Sequence, residues 1–255
     1  MLENKTIIST RPLNNDGQLI ELLRNDGAIY ISLPMISTIM NVISQEEKNS
    51  ISNLEEFDWL VFTSGNGIRF FFEHFTDLQS NKLLPDNLKT AVIGKATRNE
   101  LEKFGIKATL ESSGKTSLDL INELRIQIPK KSFPKILLVQ GNLAASTFEE
   151  NLSSEANIQR INVYNTNPPD FVDVDSLLKI KTDKYDLILL SSPSAFHNLR
   201  KFLLPFQPNK LRFACIGPTT KKALEDFGIF PKVIAESTTS VGMYESIKNY
   251  FELKN

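Results

Sequence analysis

The chain contains an internal duplication, and this feature constrains its fold more than any other. Residues 57–105 and 185–228 both consist of an apolar run, a small polar turn, a helix-like segment, a second apolar run and a helix that closes on glycine. The matching positions are Asp58 with Asp186, Ser64 with Ser192, Gly94 with Gly217 and Gly105 with Gly228. The spacing is the same for the first two pairs and, after one loop deletion, the same for the last two. Such constant spacing predicts two copies of one structural unit.

Further pieces of the repeat lie outside these stretches. The apolar run at 135–142 resembles the run at 5–10, and residues 159–170 echo residues 28–38, each an alternating segment with a tyrosine and then a proline. Pro34 prevents residues 28–37 from being a central strand along their whole length. Apolar runs alternate with amphipathic segments throughout, which predicts an α/β fold with parallel sheets covered on both faces.

The order of the pieces predicts a discontinuous division of the chain. The second copy lacks its own first strand–helix–strand, so we expect residues 1–33 to join residues 171–255 in one lobe. Residues 38–163 would form the other lobe. Residues 33–38 and 164–170 would then run side by side as a two-stranded linker, with a cleft between the lobes.

Composition and charge exclude several classes of protein. The chain has 255 residues and a net charge of −1, so it lacks the basic field that holds nucleic acid. No apolar run reaches the roughly 18 residues needed to span a bilayer, and residues 1–12 lack the apolar core of a signal peptide, so we expect a cytoplasmic protein. Cys215 is the one cysteine, which excludes an internal disulfide, and its apolar neighbours predict a buried structural thiol. The two histidines, His74 and His197, lie in separate copies, so no metal site is expected.

Six turns follow the predicted strands, at the place where open α/β sheets bind their ligands. They are residues 10–11, 63–66, 94–97, 140–142, 191–194 and 217–220. Four of them offer hydroxyls and backbone N–H groups at the start of a helix, where unpaired N–H groups and the helix dipole attract anions. Serine and threonine also cap helices at such places without any ligand. Matched turns in both copies favour a shared ligand that carries negative charge.

The common nucleotide and nucleophile motifs are missing from the sequence. Gly65 and Gly67 lack the third glycine of a dinucleotide fingerprint, because position 70 is phenylalanine. Residues 114–116 look like the end of a phosphate loop, but Thr109 stands where the first glycine is required. No GxSxG nucleophile elbow occurs.

Several short motifs, in their order along the chain, resemble the uroporphyrinogen-III synthase family. They are TRP at 10–12, VFTSGNGI at 61–68, VIGKAT at 92–97, VYNT at 163–166, LLSSPSA at 189–195 and IGPTTKKAL at 216–224. Together these motifs extend over nearly the whole chain. The resemblance implies two flavodoxin-like lobes joined by a two-stranded linker, which agrees with the division argued above.

The same resemblance implies an enzyme, a monomeric lyase of haem biosynthesis. Its substrate would be hydroxymethylbilane, a carboxylate-rich linear tetrapyrrole, which it would close while inverting the last pyrrole ring and releasing water. No metal or organic cofactor is implied. The substrate can close unaided to the wrong isomer, so catalysis would consist largely of holding the chain in the right geometry. Tyr164 would assist the departure of the hydroxyl, although a strand tyrosine without such a resemblance is more often simply a packing residue.

The candidate site residues come from the turns of both copies, with Tyr164 as the catalytic candidate. The substrate-binding candidates are Arg11, Ser64, Gly65, Asn66, Lys95, Thr97, Gly141, Asn142, Ser192, Ser194, Thr219 and Thr220. The residues alone leave two alternatives, a non-catalytic two-lobed module that binds a small polyanion and an interaction domain without a ligand. Hydroxyls matched between the copies at Thr97 and Thr220, together with Tyr164, favour the enzyme.

Overall fold

The computed structural model describes residues 2–12, 17–79, 83–114, 116–129, 132–205 and 210–253. The elements in chain order are β1 (Thr6–Ser9), α1 (Gly17–Asn25), β2 (Ile29–Ser32), β3 (Ser37–Met40), α2 (Gln45–Ser52), β4 (Trp59–Phe62), α3 (Gly65–Leu78), β5 (Lys89–Ile93), α4 (Gly94–Glu102), β6 (Leu110–Ser112), α5 (Ser117–Gln127), β7 (Lys135–Gly141), α6 (Thr147–Leu152), β8 (Asn157–Asn167), α7 (Val174–Lys181), β9 (Leu187–Leu190), α8 (Pro193–Leu203), β10 (Phe213–Cys215), α9 (Pro218–Glu225), β11 (Val233–Ile234) and α10 (Ser240–Glu252). The chain divides into two compact units. Unit 1 comprises Met1–Ser37 and Asn167–Asn255, and unit 2 comprises Thr38–Thr166.

Each unit is built on one sheet. The five strands of the first sheet are ordered β11-β10-β9-β1-β2, and the six strands of the second are ordered β3-β8-β7-β4-β5-β6. All neighbouring pairs in the first sheet run parallel, as do all pairs between β8 and β6 in the second. The predicted α/β class with parallel sheets is confirmed.

The two sheets have the same strand order, but the chain enters it at different points. Strands β4, β5, β6, β7 and β8 of unit 2 occupy the positions of β9, β10, β11, β1 and β2 of unit 1. Unit 1 is therefore a circular permutation of unit 2. The sheet of unit 2 also has β3 as an additional edge strand beside β8. Starting from its own first strand, the order in unit 1 is 2-1-3-4-5, as in flavodoxin-like sheets.

Two aspartates make the same contact in both units. The Lys135 N–H at the start of β7 donates to Asp58 Oδ2 at 2.8 Å, and the Thr6 N–H at the start of β1 donates to Asp186 Oδ2 at 2.8 Å. Both carboxylates thus cap the first N–H of the neighbouring central strand. The equivalence supports the duplication at the level of single hydrogen bonds.

Each sheet carries one apolar cluster on either face, as a sheet covered by helices requires. The phenylalanines of α3 illustrate the helical pattern, since Phe71, Phe72 and Phe75 are buried in the cluster beneath that helix. In unit 1 the Cys215 thiol is fully buried, and burial raises its pKa to about 12. The prediction of a structural thiol is confirmed.

Regular pairing between β6 and β5 begins where Leu110 lies opposite Ala91. Before that point Thr109 is held by its own bonds, since its N–H donates to the Thr90 carbonyl at 2.9 Å and its Oγ1 accepts from the Thr90 N–H at 3.1 Å. These bonds use the donors and acceptors that an earlier start of the ladder would need.

No described helix is long and apolar enough to cross a membrane.

Candidate active site

The carboxyl ends of the parallel strands in unit 2 lie along one edge of its sheet. Ser64 follows β4 there and caps α3, because its Oγ accepts from the Gly67 N–H at 3.1 Å. Residues 65–67 supply the first-turn N–H groups of that helix. This turn is one of the predicted anion-binding turns, and its geometry satisfies plain capping as well.

Tyr164 reaches the same edge through a β-bulge. Strands β7 and β8 pair regularly up to Gln140 opposite Asn162, and the next pair joins Gly141 to Tyr164. Val163 is therefore an extra residue in β8. Strand side chains normally alternate between faces, but the bulge lets Val163 and Tyr164 both pack against the cluster beneath α3.

Three neighbours define the position of the half-buried Tyr164 side chain. Its ring stacks on Phe70 of α3, with centroids 5.5 Å apart and planes 25° apart. Its hydroxyl oxygen is 3.3 Å from Ser64 Oγ, so the two hydroxyls share a hydrogen bond. Gly141 lies against the ring edge, where an added Cβ would stand 2.4 Å from Cζ. In the described part of the chain, no His, Asp or Glu makes a hydrogen bond or ion pair to this hydroxyl.

Asn142 fastens the end of β7 to the strand that carries Tyr164. Its N–H donates to the Tyr164 carbonyl at 3.1 Å, and its Oδ1 accepts from the Thr166 N–H at 2.9 Å. The side-chain oxygen of Asn142, a predicted substrate-binding residue, is therefore occupied by the protein's own backbone. Asn142 is an exposed residue, so its side-chain amide nitrogen remains available to a ligand.

Arg160 is a residue at this edge that the sequence analysis missed. Its Nη2 donates to the Ala144 carbonyl at 2.8 Å and the Gly141 carbonyl at 3.3 Å, while its Nε donates to Asn162 Oδ1 at 2.9 Å. Its Nη1 lies 3.5 Å from Glu149, and its side chain is 19% exposed. Arg160 lies on a strand in which buried and more exposed residues alternate, with no turn or motif nearby. Its hydrogen-bond partners therefore could not be predicted from the local sequence.

The turn after β5 is separate from the Tyr164 group. Helix α4 begins at Gly94 without a side-chain cap, so its first N–H groups are not used by a capping residue. Gly94 has φ +70°, a conformation that favours glycine. Lys95 is exposed, whereas Thr97 is buried.

Unit 1 repeats this pattern at the carboxyl edge of its own sheet. Ser192 caps α8 by accepting from the Ala195 N–H at 3.2 Å, and its Oγ lies 3.0 Å from Ser194 Oγ. Helix α9 begins after Gly217 without a side-chain cap. Gly217 is extended, unlike its sequence match Gly94.

The other candidates of unit 1 differ in exposure. Thr219 is exposed and Thr220 is buried. Arg11 follows β1 and is half-buried, and its N–H donates to Ser9 Oγ at 3.3 Å. Lys115, in the stretch that resembles the end of a phosphate loop, lies outside the described residues.

The structure therefore brings together Ser64 with the adjacent Gly65 and Asn66, Gly141, Asn142 and Tyr164, and it places the remaining candidates on other turns of their own unit. Within the described ranges, no group of three His, Cys, Asp or Glu side chains has the arrangement of a metal site. The Tyr164 group combines one phenol, one serine hydroxyl and a helix N-terminus. Such a group can donate a proton and orient an oxygen anion.

The chain is similar in sequence to uroporphyrinogen-III synthases and a related porphyrin biosynthesis protein. The family model of uroporphyrinogen-III synthase HemD matches residues 17–245. The porphyrin biosynthesis protein HemD of Ruminiclostridium josui is 25% identical over 94% of this chain, which spans 47% of that protein's length. The uroporphyrinogen-III synthase of Chlorobaculum parvum is 26% identical over 91% of this chain and 93% of its own length.

Solved structures agree on the fold. A mutant uroporphyrinogen III synthase from Thermus thermophilus superimposes with a TM-score of 0.63 at 15% identity, covering 98% of this chain and 99% of that one. The Helicobacter pylori uroporphyrinogen-III synthetase gives 0.61 at 15% identity, covering 96% and 99%. Because the family model extends over most of the residues, this chain belongs to the uroporphyrinogen-III synthase family, cyclising lyases of tetrapyrrole biosynthesis.

Proposed function

We propose that this protein is a uroporphyrinogen-III synthase, which closes hydroxymethylbilane with inversion of the last pyrrole ring and loss of water. Membership of the family supports the reaction class. The observation that carries the proposal for this chain is Tyr164, whose hydroxyl stands at the carboxyl edge of a parallel sheet beside the first turn of α3.

Tyr164 supplies the proton that the leaving hydroxyl needs. The C–O bond of the hydroxymethyl group breaks, the pyrrole nitrogen lone pair stabilises the cation that remains, and the phenol proton leaves with the oxygen as water. Ring closure forms a carbon–carbon bond and releases a proton, which restores the phenol. A positioned proton donor of this kind contributes about 10²–10⁴-fold to the rate.

The choice of isomer comes from positioning. Each unit offers helix starts suited to carboxylates of the substrate, after β4 and β5 in unit 2 and after β9 and β10 in unit 1, because backbone N–H groups and the positive ends of the helix dipoles attract anions. The exposed candidates Lys95 and Thr219 and the half-buried Arg11 assist them. Interactions that hold the last ring in the closing geometry favour the type III product over spontaneous closure to type I.

The test is direct conversion of substrate. Purified protein is mixed with freshly prepared hydroxymethylbilane, the products are oxidised to porphyrins, and the type I and type III isomers are separated by liquid chromatography. We expect type III as the main product with protein and type I without it. Binding of uroporphyrinogen with type I as the only product would identify a non-catalytic binding module and refute the proposal.

A further inference from the structure

We infer that Gly141 and Arg160 are positioning residues for the Tyr164 hydroxyl, and that Gly141 acts through its lack of a side chain and not through contact with substrate. The inference rests on the proposed function for its kinetic part. It reverses the sequence prediction that Gly141 binds substrate, and it gives a role to an arginine that no motif marks.

The fit between Gly141 and Tyr164 leaves no room for a side chain. A Cβ on Gly141 would stand 2.4 Å from Cζ, 2.5 Å from Cε2 and 2.8 Å from the hydroxyl oxygen of Tyr164. Distances below 3.0 Å do not occur for real Cβ atoms, so the ring or the strand would have to move. The ring is stacked on Phe70 and its hydroxyl is bonded to Ser64, so any such movement disturbs one of these contacts.

Arg160 holds the backbone that creates this fit. It donates to the carbonyl of Gly141, the last residue of β7, and to that of Ala144 in the turn that follows. It also donates to the side chain of Asn162, just before the bulge in β8. The guanidinium therefore bridges the two strands on either side of the register change. Its planar fork of donors can serve both strands at once, which the single ammonium of lysine cannot do in the same geometry.

These contacts place a catalytic oxygen, so their loss has a kinetic signature. A displacement of about 1 Å in a reacting group can cost on the order of 10²-fold in rate. We expect Gly141→Ala to lower kcat by about 10²-fold, to leave KM for hydroxymethylbilane within about threefold, and to raise the proportion of type I product. Arg160→Lys should have the same kind of effect with a smaller size.

A double-mutant cycle separates positioning from substrate binding. Turnover is measured for the parent, Gly141→Ala, Tyr164→Phe and the double variant. Positioning predicts that Gly141→Ala costs about 10²-fold in the parent and less than about threefold once the Tyr164 hydroxyl is absent. Equal losses in both backgrounds, with a raised KM, would show that Gly141 contacts substrate and would overturn the inference.

Matched controls address general damage to the fold. Arg125→Lys alters another arginine of unit 2 that binds a backbone carbonyl, that of Asn151, and a glutamate, Glu155. Gly17→Ala adds a Cβ where no heavy atom lies within 4 Å. Both controls should keep parental kcat and isomer ratio. Loss of turnover in Arg125→Lys equal to that in Arg160→Lys would also defeat the inference.

A second readout does not depend on activity. The protein is labelled with fluorotyrosine, and the Tyr164 resonance is assigned as the one lost in Tyr164→Phe. Gly141→Ala and Arg160→Lys should shift this resonance, and Arg125→Lys should not. If the parent fails to convert hydroxymethylbilane, the proposed function falls while the resonances still decide the positioning. An unmoved Tyr164 resonance in Gly141→Ala would refute the inference even in an active enzyme.

Discussion

Tyr164→Phe separates the hydroxyl proposed as the proton donor from the packing of the ring. Phenylalanine keeps the stack on Phe70 at 5.5 Å and the close approach to Gly141, because both involve the ring. The substitution removes one neutral hydrogen bond to Ser64, with an oxygen–oxygen distance of 3.3 Å in a half-buried site. Such a bond contributes about 0.5–1.5 kcal/mol to the free energy of unfolding.

The expected catalytic loss is several times larger than this structural cost. Removal of a positioned proton donor lowers turnover by about 10²–10⁴-fold, and each factor of ten corresponds to about 1.4 kcal/mol in the barrier. The barrier should therefore rise by about 3–5 kcal/mol. Type I product should increase because unassisted closure then competes. Thr97→Ala and Thr220→Ala should reduce turnover less, since each removes one positioning contact among several.

The assay combines single-turnover rates, isomer ratios and urea unfolding of the same preparations. Tyr244→Phe is the control, because it also removes a tyrosine hydroxyl with a partly buried 3.3 Å hydrogen bond, in this case to Asp26. It should cost at least as much stability as Tyr164→Phe, because its acceptor is a carboxylate, and it should match the parent in turnover. Near-normal turnover and isomer ratio in Tyr164→Phe would make the tyrosine a packing residue and leave the substrate to drive its own elimination.

Three further results are expected. Asp186→Ala should lower the free energy of unfolding in urea by about 1–3 kcal/mol, because it leaves a strand N–H without its acceptor. Asp58→Ala should lower it less, because Asp58 is more exposed. Equal stability of both variants and the parent would contradict this. Cys215 should react slowly with a disulfide reagent at pH 8 in the folded protein and rapidly in urea, since its pKa is raised to about 12. The folded thiol keeps its proton, so its contribution to stability is complete below the ordinary thiol pKa and falls as pH rises toward 12. Arg11→Ala and Lys95→Ala should each weaken product binding in calorimetry by about 1–3 kcal/mol, whereas total loss from either would indicate a side-chain clamp.

The strand positions and their parallel arrangement could be predicted because they depend on local patterns. Apolar runs, glycines at helix ends and the duplication were enough to identify β4 and β9 as equivalent strands of the two copies. The Asp58 and Asp186 match, visible as two letters at constant spacing, corresponds to the same hydrogen bond in both units. The serine caps of α3 and α8 could be predicted in the same way, since serine before a helix is a local signal.

The detailed geometry around Tyr164 could not be predicted, because it depends on residues far apart in sequence. The bulge at Val163 changes which face Tyr164 occupies, and an alternating segment gives no sign of an inserted residue. The contact to Ser64 spans 100 positions, and the fit against Gly141 depends on the register between two strands. Arg160 reads as an ordinary polar strand residue until its carbonyl partners are known.

The permuted order of the strands has a consequence for how the protein folds. Unit 2 is continuous, so it can fold as soon as its residues leave the ribosome. In unit 1, β1 cannot join the later strands of its sheet until β9 has been synthesised, because β9 is the strand that pairs with it. Meanwhile the folded unit 2 holds its two ends side by side, since β3 lies next to β8. A finished insert thus replaces a long flexible loop by a short link, which reduces the entropy cost of bringing the early and late strands of unit 1 together.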